Sequence, residues 1–185
     1  MAENSVAPVA RGDTFFKGGT ADAAGGKHLQ GLVHVFPNSD PDDTTKRRNG
    51  GNVICVLVRN THTAAVLPGE VVIWKAAAHG TETGEPCGTL AEHVAGVVDA
   101  HLPSAGAAVD DLYWLIIRGD AKVTNDGGIA EDDIIFASGT TAGRVIKLGT
   151  PSGTQACRQI GTAVATVAED VAGVIHVNVS DSPYG

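Results

Sequence analysis

The chain has 185 residues, enough for one domain or one domain with an arm, and a globule of that size buries roughly 70% of its unfolded surface without needing disulfides or metals. Its 13 basic and 21 acidic residues leave a net charge of −8, the wrong sign for a protein held on nucleic acid by phosphate contacts. Aromatics make up only 4% and glycines number 24, so the core must come from Val, Ile, Leu and Ala with many turns, which favours short strands over long helices.

Residues 1–30 carry the glycine pairs Gly18-Gly19 and Gly25-Gly26 and one large apolar pair, Phe15-Phe16. Such a segment cannot bury enough surface to order itself, and it reads as an extended N-terminal arm ahead of a β-domain over residues 31–185. The arm either folds back on its own domain or lies on neighbouring subunits with Phe15-Phe16 as its anchor. The N-terminus has no apolar leader segment and no apolar run approaches the ~20 residues of a membrane span, so a soluble product is expected.

Leu32–Phe36 reads as a strand closed by Pro37-Asn38. The polar stretch 38–52 holds the basic cluster Lys46-Arg47-Arg48, but Asp40, Asp42 and Asp43 precede it, which makes a mixed-charge solvated loop. Val53–Val58 is a fully apolar strand with Cys55 as a small buried residue. Arg59–Thr63 looks like an edge or turn, Pro68-Gly69 a turn, and Glu70–Lys75 a strand. Residues 76–90 are small and polar, with a short helix suggested around Thr89–His93. Gly96-Val97-Val98 leads through a Pro103/Gly106 turn to Asp110-Asp111 and the run Leu112–Ile117, whose six large side chains suit a strand buried on both faces.

Arg118-Gly119-Asp120 reads as a turn that ends this run before Ala121–Thr124 resumes it. The same tripeptide at residues 11–13 reads likewise. Asn125–Gly128 is a turn, followed by strands at Ile134–Ala137, Arg144–Leu148, Arg158–Val167 and Val171–Val179, the last alternating cleanly. The expected core includes Val56, Trp74, Trp114, Leu115 and Ile117. An internal echo links Pro68–Trp74 with Ala130–Phe136, and each segment is followed by a glycine-led strand, at Gly96 and Gly161. Two similar half-barrels closing on one core would produce it, and so would the repetitive grammar of any β-protein. The fold class is all-β, a small barrel or sandwich of many short strands behind the arm.

No catalytic constellation emerges. The seven histidines show neither HxH nor HExxH spacing, and no P-loop, GxGxxG or GxSxG pattern occurs. His93, Asp99 and His101 come nearest to a metal set, with Asp99 and His101 expected on one strand face. Asp110-Asp111 and Asp132-Asp133 precede apolar strands, which suits turn chemistry and edge charge. Three cysteines without a CxxC pair fit synthesis in a reducing cytoplasm.

Three pieces together carry a resemblance. They are Val58-Arg59-Asn60-Thr61 with Val66–Val72; Ala95–Val98 with Asp110–Gly119; and Ala142–Val145 with Ile160–Ala163. The succession resembles the head-decoration (capsid cement) proteins of tailed bacteriophages over about residues 53–179, and leaves the arm unmatched. The resemblance implies a non-enzymatic virion protein without a cofactor, made in the host cytoplasm and placed on the capsid exterior. It implies a homotrimer whose partners are itself and the major capsid protein, bridging neighbouring capsomers, with no nucleic acid or membrane involved. Arg11, Phe15, Phe16 and Lys17 are then the expected arm contacts. Alternatives are another virion component (a head-fibre base or tail protein), a metal-dependent binder using His93, Asp99 and His101, or a carbohydrate-binding module. The few aromatics, mostly inside strand runs, argue against the last.

Overall fold

The computed structural model describes residues 29–37, 52–88, 93–147 and 159–179. The fold is all-β: the described residues form ten strands and no α-helix. In chain order they are β1 (Val33–Pro37), β2 (Asn52–Asn60), β3 (Val71–Trp74), β4 (Glu82–Pro86), β5 (Val94–Val98), β6 (Leu112–Thr124), β7 (Ile134–Ala137), β8 (Val145–Lys147), β9 (Gln159–Ala163) and β10 (Ala172–Asn178). The sheet order is β1-β2-β4-β3-β5-β6-β10-β9-β7-β8, and β2 also pairs with β6. That extra pairing closes β2-β4-β3-β5-β6 into a ring-like circuit. A parallel bridge between Asn125 and Val145 brings β8 back to the end of β6 and closes a second circuit. Both circuits share β6.

β6 can be shared because both of its faces are buried. Leu112 to Ile117 are each at most 3% exposed. Tyr113, Leu115 and Ile117 pack with Val56, Val58, Val72 and Trp74 in one cluster, drawn from the strands of the first circuit. Leu112, Trp114 and Ile116 point the other way and join Cys55, Leu57, Ile135, Ile160 and Ile175 in a second cluster. Burying a large apolar side chain contributes about 1.5–3 kcal/mol, so this one strand carries a large share of the stability. The expected turn at Arg118-Gly119-Asp120 is corrected. These residues lie inside β6, where Arg118 pairs with Ile54 on β2 and with Asn178 on β10. A bulge between Ile54 and Cys55 and the positive φ of Gly119 (101°) bend the strand there and keep its hydrogen bonds, so the chain passes from one circuit to the next without turning back.

The echo read in the sequence is a structural duplication. The turn Leu67–Glu70 and the turn Ala130–Asp133 are built alike. In each, the closing N–H donates to the first carbonyl (3.2 Å in both), and the closing carboxylate accepts the first N–H (2.7 Å in both). The third residue is left-handed, Gly69 in one and Asp132 in the other. Gly69 N–H reaches Val98 O at 2.9 Å, and Asp132 N–H reaches Ala163 O at 3.0 Å. Asp110 and Asp170 form a second matched pair of left-handed turn residues, one before β6 and one before β10. Aspartate tolerates that conformation better than most side chains, which explains the carboxylates placed ahead of apolar strands.

β4 was not expected. Its residues are polar, include Gly84 and Pro86, and carry no alternating apolar pattern, so pairing with β3 and β2 creates this strand rather than intrinsic propensity. Residues 89–92 of the suggested helix lie outside the described residues, and His93 immediately precedes β5.

Gly96 and Gly161 occupy matching places, on β5 beside Ile116 O and on β9 beside His176 O, where an added Cβ would overlap the carbonyl oxygen. Gly161→Ala is therefore expected to cost about 2–3 kcal/mol in urea denaturation through overpacking, while Gly128→Ala, on an open turn, stays within about 0.5 kcal/mol.

Candidate functional site

The residues expected to form the core are all buried: Val56, Trp74, Trp114, Leu115 and Ile117. The expected arm contacts Arg11, Phe15, Phe16 and Lys17 lie outside the described residues, as do residues 11–13 of the first Arg-Gly-Asp. Leu29, the first residue described, is buried in the larger cluster, and Gly31 N–H donates to Leu57 O at 2.8 Å.

The His93, Asp99, His101 set is not brought together. Asp99 and His101 do not share a strand face. They follow β5 in a turn closed by Leu102 N–H on Asp99 O (3.1 Å), and the buried Asp99 carboxylate accepts the His101 N–H (3.1 Å) and faces its Nδ1 (3.0 Å). A carboxylate that can satisfy its own backbone two residues on favours a turn over a continued strand, which is why the expectation failed. His93 stands at the opposite end of β5, its ring 5.4 Å from that of His79, which stacks on Trp74 at 6.4 Å. Among the described residues, no three His, Cys, Asp or Glu side chains converge on a point that would hold a metal ion.

The polar groups that do meet are structural. Asn60 is fully buried. Its amide donates to the carbonyls of Ala64 (2.9 Å), Ala107 (2.9 Å) and Ala108 (3.1 Å), and its oxygen accepts His62 N–H at 2.9 Å. Asn125 does the same work in the second circuit, donating to Ala168 O (2.8 Å) and Val171 O (2.7 Å). Arg59 holds Asp110 through Nε at 2.9 Å and through Nη2, and Arg144 pairs with Asp170. The Tyr113 hydroxyl meets Thr83 Oγ1 at 2.8 Å inside the core, and burial pushes its pKa up, so it stays protonated at any physiological pH. Ser138 and Thr141 hydroxyls donate to the Asp126 carboxylate and hold its pKa low, Ser138 contributing most.

An open depression of about 330 Å³ lies over β3 and β4, lined by Thr61, His62, Ile73, Trp74, Lys75 and Glu85. Lys75 is engaged by Glu82 at 3.2 Å. Trp74 Nε1 is buried without an acceptor among the described residues. With Trp74 only 3% exposed, the depression offers no aromatic face on which a sugar ring could stack.

One surface feature escaped the sequence reading. Leu32, Val33 and Val35, on and beside β1, are 40%, 38% and 51% exposed, the densest group of exposed large apolar side chains among the described residues. The signal was present as an apolar run interrupted only by His34 and with no Lys, Arg, Asp or Glu, but a buried strand gives the same run.

No family model matches this sequence, and no curated protein matches it. Two solved structures are similar in shape. One is the head fibre gp8.5 N base of bacteriophage phi29, at 12% identity and a TM-score of 0.43, covering 69% of this chain and 96% of that one. The other is the capsid of Myoviridae phage XM1, at 12% identity and a TM-score of 0.44, covering 95% of this chain and 93% of that one.

Glu70 supplies a pH test of the turn chemistry. Burial raises its pKa above the ordinary carboxyl value, against the opposing effect of the Leu67 N–H and His62. A carboxyl raised on folding destabilises the ionised fold, so its contribution to stability falls as pH rises from about 4.5 through its folded pKa. Glu70→Gln keeps an acceptor for Leu67 N–H and removes the buried charge. It is expected to be at least as stable as the parent at pH 7 and to lose this part of the gain on acidification, read from urea midpoints between pH 4.5 and 7.

Proposed function

We propose that this chain is a structural protein of a tailed-phage virion, bound to the outer surface of the capsid shell, where it stabilises the shell by bridging neighbouring capsomers. The observation that supports this reading is how the residues of the decoration-protein resemblance are used. Asn60 ties three carbonyls, Gly69 takes a left-handed turn, and Gly96 and Gly161 let strands approach to backbone contact. Gly119 bends β6 at the junction of the two circuits. The shared pattern thus specifies a rigid doubled scaffold and leaves partner recognition to surfaces outside it.

The partners are the major capsid protein and further copies of the chain in a homotrimer, with residues 1–30 as the attaching arm and Arg11, Phe15, Phe16 and Lys17 as its contact residues. Many weak arm contacts on a repeating lattice hold tightly because each later engagement is intramolecular. The acidic balance suits a surface facing solvent, away from packaged DNA.

Deleting residues 1–28, which leaves the core residue Leu29 in place, is expected to keep the β-sheet circular dichroism and to reduce binding to purified capsids at least tenfold in a co-sedimentation titration. Unchanged saturation of capsids by the truncated protein would refute the arm's role. Electron microscopy of decorated particles that placed the chain on a fibre base or tail would replace the decoration reading.

A further inference from the structure

We propose that the free edge of β1 is covered by the chain's own residues Thr14–Lys17, added as an antiparallel strand with Phe16 lying over Val33 and Val35. Among the described residues β1 pairs with β2 alone, and no described strand satisfies the backbone groups of its other edge. Natural edge strands are usually blunted by charge, proline or a bulge; β1 has a proline only at its last residue, Pro37, and from Val33 to Phe36 it carries no Lys, Arg, Asp or Glu. Instead Leu32, Val33 and Val35 stay partly exposed, while Phe36 turns inward, its ring 5.2 Å from that of Trp114 and 4.5 Å from that of His34, which is itself exposed. The outward face therefore wants an apolar cover and the edge wants a backbone partner. A β-strand carrying large apolar side chains supplies both.

The 28 residues ahead of Leu29 contain one segment of that chemistry, Thr14-Phe15-Phe16-Lys17. It is joined to Leu29 by a connection that includes Gly18, Gly19, Gly25 and Gly26. A glycine-rich connection of this length closes at modest entropic cost, and tethering gives the segment a high effective concentration at β1 that a separate partner lacks. The 12 residues between Phe16 and Leu29 can span about 40 Å, well over the roughly 20 Å that six residues from Leu29 to Val35 can cover, so Phe16 can reach Val35 on the exposed face. Leu29, fixed in the core, and Gly31, bonded to Leu57 O, anchor the near end of this connection at the start of β1.

The inference concerns the free chain in solution and is tested without capsids, so its failure and failure of the shell-binding reading are separately visible. Hydrogen exchange of the β1 amides is followed in the full chain, in a Phe15→Ala/Phe16→Ala variant and in a chain lacking residues 1–17. The altered residues all lie in the arm, and unchanged protection of β2 and β6 verifies that the domain is intact. At least tenfold faster exchange confined to β1 in both altered chains, with protection in the full chain independent of protein concentration, supports the proposal. A Phe16→Cys/Val35→Cys chain is then expected to oxidise to an intramolecular disulfide. Unchanged β1 exchange overturns the proposal, as does protection that grows with concentration, which assigns the edge to a second copy.

Discussion

The structure depends on β6 having no exposed face through its first half and on both circuits using its backbone. A strand of 13 residues with this much covering can belong to two circuits only if its neighbours come close without side chains in the way. Gly96 comes against Ile116 O, Gly119 against Asn52 O and Val53, and Gly69 against Lys122 O, three contacts at which a Cβ would press on backbone or side chain. Two of the contacts use φ values of 81° and 101°, available to glycine at little steric cost. The abundance of glycine and the scarcity of aromatics are then one fact. Backbone contact does at these junctions what large side chains do elsewhere, and the Val, Ile and Leu of β6 fill the space on either side.

Duplication gives the polar residues their pattern. Each circuit needs the same backbone geometry at its corners, so the same solutions recur. A buried asparagine closes β2 and another follows β6, and a left-handed Asp precedes both β6 and β10. The arginines that engage those aspartates differ in origin. Arg59 comes from the end of β2, whereas Arg144 comes from the turn before β8. The turn geometry is therefore repeated while its ionic fastening is not. Part-exposed ion pairs contribute about 1 kcal/mol at most, which makes the backbone hydrogen bonds the stronger constraint.

Much of this was legible in the residues, and the failures have physical causes. Apolar runs such as Val53–Val58 and Leu112–Ile117 announced their strands because core burial and periodicity agree there. The echo between Pro68–Trp74 and Ala130–Phe136 was visible because turn chemistry is local. β4 was invisible because its strand character is conferred by β2 and β3, which no window on its own sequence contains. Arg118-Gly119-Asp120 misled because the glycine that signals a reversal equally serves a bend within a strand, and only the presence of β2 and β10 on the same backbone distinguishes the two. His93, Asp99 and His101 looked adjacent along the chain, but the five-residue strand between His93 and Asp99 holds the first about 20 Å from the pair.

These causes also decide where recognition can reside. Asn60, Gly69, Gly96, Gly119 and Gly161 each meet a constraint of the scaffold, so any chain folding into this doubled circuit needs residues like them, whatever it binds. A pattern built from such residues identifies the scaffold first and its partners only through the company that scaffold keeps. Partner choice must lie with groups whose chemistry the fold does not require. On the described surface the clearest are Leu32, Val33 and Val35, which the sheet would tolerate as threonine or lysine and which are nevertheless apolar. The sheet holds these side chains in place but does not explain their identity, and that mismatch directs attention to β1 and to the segment entering it, away from the interior of the circuits.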